Sequence, residues 1–255
     1  MLAYKGKFRV EIDEKKYFLI NGTGMPLENK LFWRGVFGHE PATIRTFIQL
    51  LEQMNWIADI GSNSGLYALV AATLKQDIEI LAVEPSPLFY DMLISNVELN
   101  KRQIICINKA LSNHTGFSDF YFPRPHKGNP YSASLSLNHL RNHRVTDTEM
   151  IKVEVCKFDD LVEVCKLQGK GLVKIDAEGH GVQVLEGMKN ILQKSNPVII
   201  IEVQSIEEAK MVAKALLNYF FYRIHELDGL IFDDLPIPFY DGCNNYLCSP
   251  QPIYR

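Results

Sequence analysis

Two short runs hold the residues of this chain best suited to chemistry. The first is Asp59-Ile-Gly61-Ser-Asn63-Ser-Gly65, an acid and two glycines between the apolar stretches Trp56–Ile60 and Leu66–Leu74. The second is Lys174-Ile-Asp176-Ala-Glu178-Gly-His180, which follows another apolar run. Glycines between a strand and a helix bring backbone close to a ligand. A dinucleotide fingerprint would read GxGxxG and aim a helix N-terminus at pyrophosphate. The spacing here departs from that fingerprint, and Asp59 would repel a phosphate. S-adenosylmethionine carries a sulfonium and an ammonium and no phosphate, so a carboxylate at the strand tip favours it. Glu84, closing the next apolar run, can accept hydrogen bonds from both ribose hydroxyls. Two blander readings stand beside these. Gly61 and Gly65 can serve only a tight turn and close helix packing, and Glu84 before Pro85 can be a helix-start carboxylate.

Asp176 ends its apolar run and would point into the same crevice as Asp59. Methyl transfer is an in-line displacement at an activated carbon, so a protein must align the acceptor oxygen, exclude water and remove a proton. A carboxylate can orient a hydroxyl and take its proton. The competing reading of Asp176 and Glu178 is capping of the following helix. His180 is a candidate assistant, although a lone histidine at a helix start is more often a surface or capping residue. Glu202, ending Val198–Val203, can shape an acceptor pocket, and His39 beside Glu40 is a weaker candidate.

The elements that must position these side chains follow from hydrophobic period. Ile44, Phe47, Ile48, Leu51 and Met54 recur at helical spacing within Pro41–Asn55. Strand Trp56–Ile60, helix Leu66–Leu74, strand Glu79–Val83, helix Pro87–Asn100 and strand Ile104–Asn108 then alternate, which is the signature of a parallel sheet with crossover helices. Asn108 closes the third of these strands and is a further candidate for cofactor contact. Gly116–Phe122, Ile151–Cys156, Leu172–Asp176, Val198–Val203, Tyr222–Glu226 and Asn245–Cys248 read as strands, and Val182–Leu192 and Glu207–Phe220 as helices. The expected fold class is α/β, a doubly wound, mostly parallel sheet of about seven strands. Residues 1–40 read as an N-terminal β-hairpin-like extension and residues 41–255 as the catalytic domain. Between Pro123 and Met150, Arg124, His126, Lys127, His139, Arg141, His143 and Arg144 surround Tyr131. That stretch is either a solvated loop or a lid suited to an anionic acceptor.

Composition narrows the function classes. With 255 residues, 47% of them hydrophobic and 22% charged, the chain can bury a substantial core. A net charge of −3 shows no general affinity for nucleic acid. Five cysteines without a CxxC pair point to reduced thiols and a cytoplasmic location. No metal is expected from their spacing, and the apolar runs are too short to span a bilayer. The expected partner is a small-molecule or glycan acceptor, with a homo-oligomer also open.

The blocks "IADIGSNSG", "AVEPSP", "KFDDL", "GLVKIDAEGHGVQVLEGM" and "PVIIIEV" together resemble the FkbM-type family of S-adenosylmethionine-dependent methyltransferases. The resemblance implies a Rossmann-like class I methyltransferase fold and O-methylation, often of sugars. It assigns Asp59, Gly61, Asn63 and Gly65 to the methionine-side loop, Glu84 to the ribose, and Asp176 and Glu178 to the reaction centre. Glu40, in "FGHEP", matches the acid ahead of the first helix in many relatives. Relatives commonly continue KIDxEGxE, whereas position 181 here is glycine. Two rivals remain open from sequence: an NAD-dependent oxidoreductase on the same fold, and a cofactor-binding scaffold without turnover.

Overall fold

The computed structural model of the chain describes residues 2–123, 134–135, 148–165, 167–225, 229–232 and 245–253. A hairpin opens it. β1 (Gly6–Glu11) and β2 (Tyr17–Gly22) pair antiparallel, and alternation buries Phe8, Val10, Phe18 and Ile20 on one face. Helix α1 (Pro26–Arg34) follows, started by Pro26, and buries Leu27 and Leu31. The sequence did not suggest it, because its apolar positions repeat over too few turns. A short 3-10 turn (Val36–Gly38) leads to α2 (Pro41–Leu51).

The expected alternation then follows: β3 (Trp56–Ile60), α3 (Leu66–Leu74), β4 (Glu79–Val83), α4 (Pro87–Asn100) and β5 (Ile105–Ile107). Next come β6 (Ala110–Leu111), β7 (Gly116–Pro123) and β8 (Thr148–Cys156), which form a separate three-stranded sheet in the order β6-β8-β7. Helix α5 (Phe158–Val164) leads to β9 (Gly171–Ile175). The single helix expected over Val182–Leu192 is two short ones, α6 (Gly181–Glu186) and α7 (Lys189–Lys194). They part at Gly187, where a Cβ would collide with the carbonyl of Ser112. β10 (Val198–Glu202), α8 (Ile206–Ala215), β11 (Phe220–His225), β12 (Gly229–Phe232) and β13 (Asn245–Ser249) complete the order.

The main sheet runs β12-β11-β13-β10-β9-β3-β4-β5, eight strands among the described residues where about seven were expected. The extra one is β12, an antiparallel return against β11 whose four residues are too few to show a period. Strands β10, β9, β3, β4 and β5 are mutually parallel, so their carboxyl ends open on one crevice. Period 2 divides each strand between two layers. Ile57, Ile80, Leu172 and Ile200 pack with α2, α3, α4 and the hairpin. Trp56, Ala58, Val173 and Ile199 pack with α5 to α8. The fold is α/β, a mostly parallel sheet between two helical layers. No helix of the described residues is long and apolar enough to cross a membrane.

Candidate active site

The turn after β3 is built from left-handed backbone: Gly61 at φ 78°, Asn63 at 51° and Gly65 at 91°. Both glycines also answer to packing. A Cβ at Gly61 would collide with the carbonyl of Asp176, and one at Gly65 would lie 2.6 Å from Leu93 Cδ1 on α4. The Ser62 hydroxyl donates to the Asp59 carbonyl at 2.6 Å, closing the turn. Asp59 is 2% exposed and accepts from the Ala68 amide of α3 at 3.2 Å. Burial pushes its pKa up to about 7.

Glu84, at the tip of β4, accepts the amides of Asn63 at 2.8 Å and Ser86 at 2.9 Å, one on each oxygen. Burial pushes its pKa up to about 7, against the pull of those two amides. Its carboxylate therefore links the glycine turn to the start of α4, and each oxygen keeps a lone pair for another donor. Asn108 sits behind it. The Asn108 amide donates to the carbonyls of Glu84 at 2.8 Å and Pro85 at 3.2 Å, which fixes the backbone that aims Glu84.

The KIDAEG run lies alongside, pinned to β3 by the Asp176 amide, which donates to the Ile60 carbonyl at 2.9 Å. Alternation sends Lys174, Asp176, Asp59 and Glu202 to the same side of the sheet, with Lys174 paired opposite Asp59. Lys174 is fully buried. Its Nζ lies 3.5 Å from Asp176 Oδ2 and 3.2 Å from Asn245 Oδ1, and over the ring of Tyr67 at 5.6 Å. Burial opposes its charge, but Asp176, Glu40, Glu202 and Asp59 outweigh that and hold its pKa above the ordinary lysine value. Tyr67 donates its hydroxyl to Glu40 Oε2 at 2.8 Å. Glu40 is held at φ 43° ahead of α2, with His39 Nε2 4.0 Å away. Burial raises the pKa of Asp176 more than Lys174 lowers it. Burial, then Asp176 and Glu178, keep Glu202 protonated well above the usual carboxylate range.

Asp176, Glu178 and Glu202 bring carboxylate oxygens within 4.8 Å of one another, with Glu202 joining the sequence-local pair from the end of β10. Gln204 Nε2 bridges two of them, donating to Glu178 Oε2 at 3.0 Å and Glu202 Oε2 at 2.9 Å. Glu178 is held at φ 45°, and its carbonyl accepts the Ser134 hydroxyl at 2.7 Å. His180 turns aside from the acids: its Nε2 lies 3.0 Å from the Ser112 hydroxyl, and burial lowers its pKa to about 4, so it is neutral near pH 7. At Gly181 a Cβ would meet Ile201 Cδ1 at 3.0 Å and Glu208 Oε1 at 3.3 Å. An acid at position 181 would be crowded there and would set its charge beside that of Glu208.

These residues surround one cavity of about 290 Å³. Glu40, Asp59, Gly61, Asn63 and Glu84 line it, as do Asp176, Glu178, His180 and Glu202; Gly65 and Asn108 stand behind it. Sequence reasoning missed Lys174, Tyr67, Asn245 and Gln204. The signal for Lys174 was present, since a lysine inside the apolar run GLVKI must find buried partners. Among the described residues, six acidic side chains, of which Glu202 is held protonated, face the cavity against two lysines, Lys30 and Lys109. That balance suits a cationic ligand and opposes a pyrophosphate. Among the described residues, three of the five non-glycine residues with positive φ are Glu40, Asn63 and Glu178, all on the cavity wall, where functional sites concentrate such backbone. The basic residues between Arg124 and Arg144 lie outside the described residues.

Residues 59–228 match the family described as the methyltransferase FkbM domain. The chain belongs to the FkbM family of S-adenosylmethionine-dependent methyltransferases. It is 29% identical over 177 residues to the hexuronic acid methyltransferase AglP of Haloferax volcanii, covering 69% of this chain and 67% of that protein. It is 26% identical to methyltransferase sdnD of Sordaria araneosa, covering 70% of this chain and 74% of that one. Among solved structures, the FkbM methyltransferase of Methylobacillus flagellatus aligns at 14% identity and TM-score 0.48, over 77% of this chain. The chain spans 44% of that protein's length.

Proposed function

We propose that this FkbM methyltransferase transfers the methyl group to a hydroxyl oxygen of a sugar or glycan-linked acceptor. The observation that carries the proposal is the acid row on one side of the strand ends. Asp59 and Glu84 stand at the ends of β3 and β4 beside the glycine turn, and Asp176, Glu178 and Glu202 continue the row past the ends of the neighbouring β9 and β10. The donor set fits S-adenosylmethionine. Glu84 would take the ribose hydroxyls, the Gly61–Asn63 backbone would hold the methionine end, and the acid lining would favour the sulfonium and ammonium. When bound, the cofactor supplies an electrophilic methyl carbon.

The chain's own part is alignment and proton removal. Asp176 would accept a hydrogen bond from the acceptor hydroxyl and take its proton as the new carbon–oxygen bond forms. Burial raises its pKa above the ordinary carboxylate value, which makes it a stronger proton acceptor than an exposed aspartate. Glu178, fixed by Gln204 and Ser134, would flank the acceptor. His180, neutral and engaged with Ser112, would hold the turn that carries Glu178 and leave the proton to Asp176. AglP is named for a hexuronic acid, which makes a sugar the first acceptor class to try.

The deciding experiment supplies the protein with methyl-labelled S-adenosylmethionine and extracts fractionated into glycan, small-molecule and protein pools. Label in an alkali-stable ether of a sugar supports the proposal. Label confined to protein, or to an alkali-labile ester, refutes the hydroxyl assignment.

A further inference from the structure

We propose that Lys174 is a positioning residue for the transfer, acting on the acceptor through Asp176, whose carboxylate it aims and keeps charged. The inference rests on the reading of Asp176 as the acceptor's base and extends it to a residue that touches neither substrate.

Lys174 stands in β9 among Gly171, Leu172, Val173 and Ile175, all buried, and is itself wholly sealed from solvent. Elements on several sides face its ammonium: Asp176 just past the end of the same strand, Asn245 from β13, and Tyr67 from α3, whose hydroxyl is committed to Glu40. Glu202 from β10 and Asp59 from β3 add their fields. Among the described residues, Asp176 is the carboxylate paired with the ammonium within 4.0 Å.

The two partners are unequal. Lys174 has no exposed side-chain surface, whereas the Asp176 side chain is 29% exposed and lines the cavity. Among the described residues, the carboxylate through which this sealed charge reaches the cavity by direct contact is Asp176. A buried ion pair is weak support for stability, since well-packed apolar residues commonly serve as well or better. A lysine inside an otherwise apolar strand is therefore better explained by what it does to its half-open partner. With Oδ2 held by the ammonium, rotation of the carboxylate is restrained. Lys174 also offsets the like charges of Glu40 and Glu178, which with burial favour the neutral form of Asp176, useless as a base.

A double-mutant cycle tests this, with labelled methyl transfer at saturating acceptor and calorimetric binding of S-adenosylhomocysteine. Lys174→Met keeps an unbranched side chain, shorter by the terminal nitrogen, and removes the charge. Its kcat should fall by about tenfold or more, within the range lost when acid–base help is impaired. Cofactor affinity should change less than about threefold. In an Asp176→Asn background, Lys174→Met should lower kcat by less than about twofold, because residues acting as a unit are non-additive. Equal losses in both backgrounds would overturn the inference while leaving Asp176 as the base. Full kcat in Lys174→Met would also overturn it. Full turnover in Asp176→Asn would overturn the base reading and this inference together. If Lys174→Met does not accumulate folded, Lys174→Gln, still able to donate to Asn245, takes its place in the same cycle.

Discussion

Cofactor affinity should depend on pH through Glu84, and the size of the effect follows from its surroundings. Burial raises the pKa of Glu84 from an ordinary value near 4.5 to about 7. The sign follows from linkage. A carboxyl with a raised folded pKa favours the fold while protonated, so its contribution is present below about 4.5 and is lost as pH rises through about 7. Over roughly two and a half units, this amounts to about 3 kcal/mol. Ribose hydroxyls donate, so the proposed cofactor contact selects the ionised form. At pH 6 about one molecule in eleven is ionised, and Kd should be about tenfold weaker than at pH 8 and above. S-adenosylhomocysteine is the suitable probe, by calorimetry in buffers of differing ionisation enthalpy, which also reads the proton released near pH 6.5.

Glu84→Gln supplies the control. The amide cannot titrate, so the slope should flatten. It also sets an NH2 group against one of the two backbone donors, Asn63 or Ser86, now 2.8 and 2.9 Å from the carboxylate. An unsatisfied buried donor costs about 1–3 kcal/mol, so affinity at pH 8 should fall by about tenfold to a hundredfold. A flat wild-type Kd between pH 6 and 8 would refute the reasoning. An unchanged slope in Glu84→Gln would refute it too and move the titration to Asp59, which burial also raises to about 7.

Asp176→Asn should remove most methyl transfer and also lower the melting temperature by several degrees, because it leaves the buried Lys174 ammonium without its paired carboxylate; near-wild-type turnover would refute Asp176 as the base. Glu178→Gly should lower turnover without lowering the melting temperature, because glycine relieves about 1 kcal/mol of left-handed strain at φ 45° and a carboxylate leaves the acid cluster. Asn96→Leu should weaken cofactor binding from a distance. Its buried amide accepts from the Asn21 amide of β2 at 2.8 Å and donates to the Ser64 carbonyl at 2.9 Å, tying the N-terminal hairpin to the glycine turn. Two orphaned buried groups at about 1–3 kcal/mol each should also lower the melting temperature by several degrees. Turnover should persist in excess chelator; a loss restored by a divalent cation would assign Asp176, Glu178 and Glu202 to a metal instead.

Local physics made much of this protein legible in one dimension. Apolar runs of strand length, separated by helical periods, set out β3 to β5 with their crossovers, because the two periods differ and each run is bounded by turn residues. The left-handed turn at Gly61 and Gly65 is equally local, since few residues other than glycine adopt that backbone readily. Asp59, Glu84 and Asp176 could be picked out because each ends an apolar run, and parallel strands share an open end. Tertiary structure decided the rest. Lys174, Tyr67, Asn245 and Glu202 come from four elements far apart in the chain, and they meet only because register between non-consecutive strands fixes which side chains face each other. The reason for Gly61 changed in the same way: its missing Cβ makes room for the Asp176 carbonyl, a neighbour set by the pairing of β3 with β9. His180 follows the acids in the chain but faces Ser112 in space, because left-handed backbone at Glu178 and Gly179 turns the chain between them. Even Gly181, a departure in one dimension, has a packing reason in three, where Ile201 and Glu208 close on the space a side chain would need.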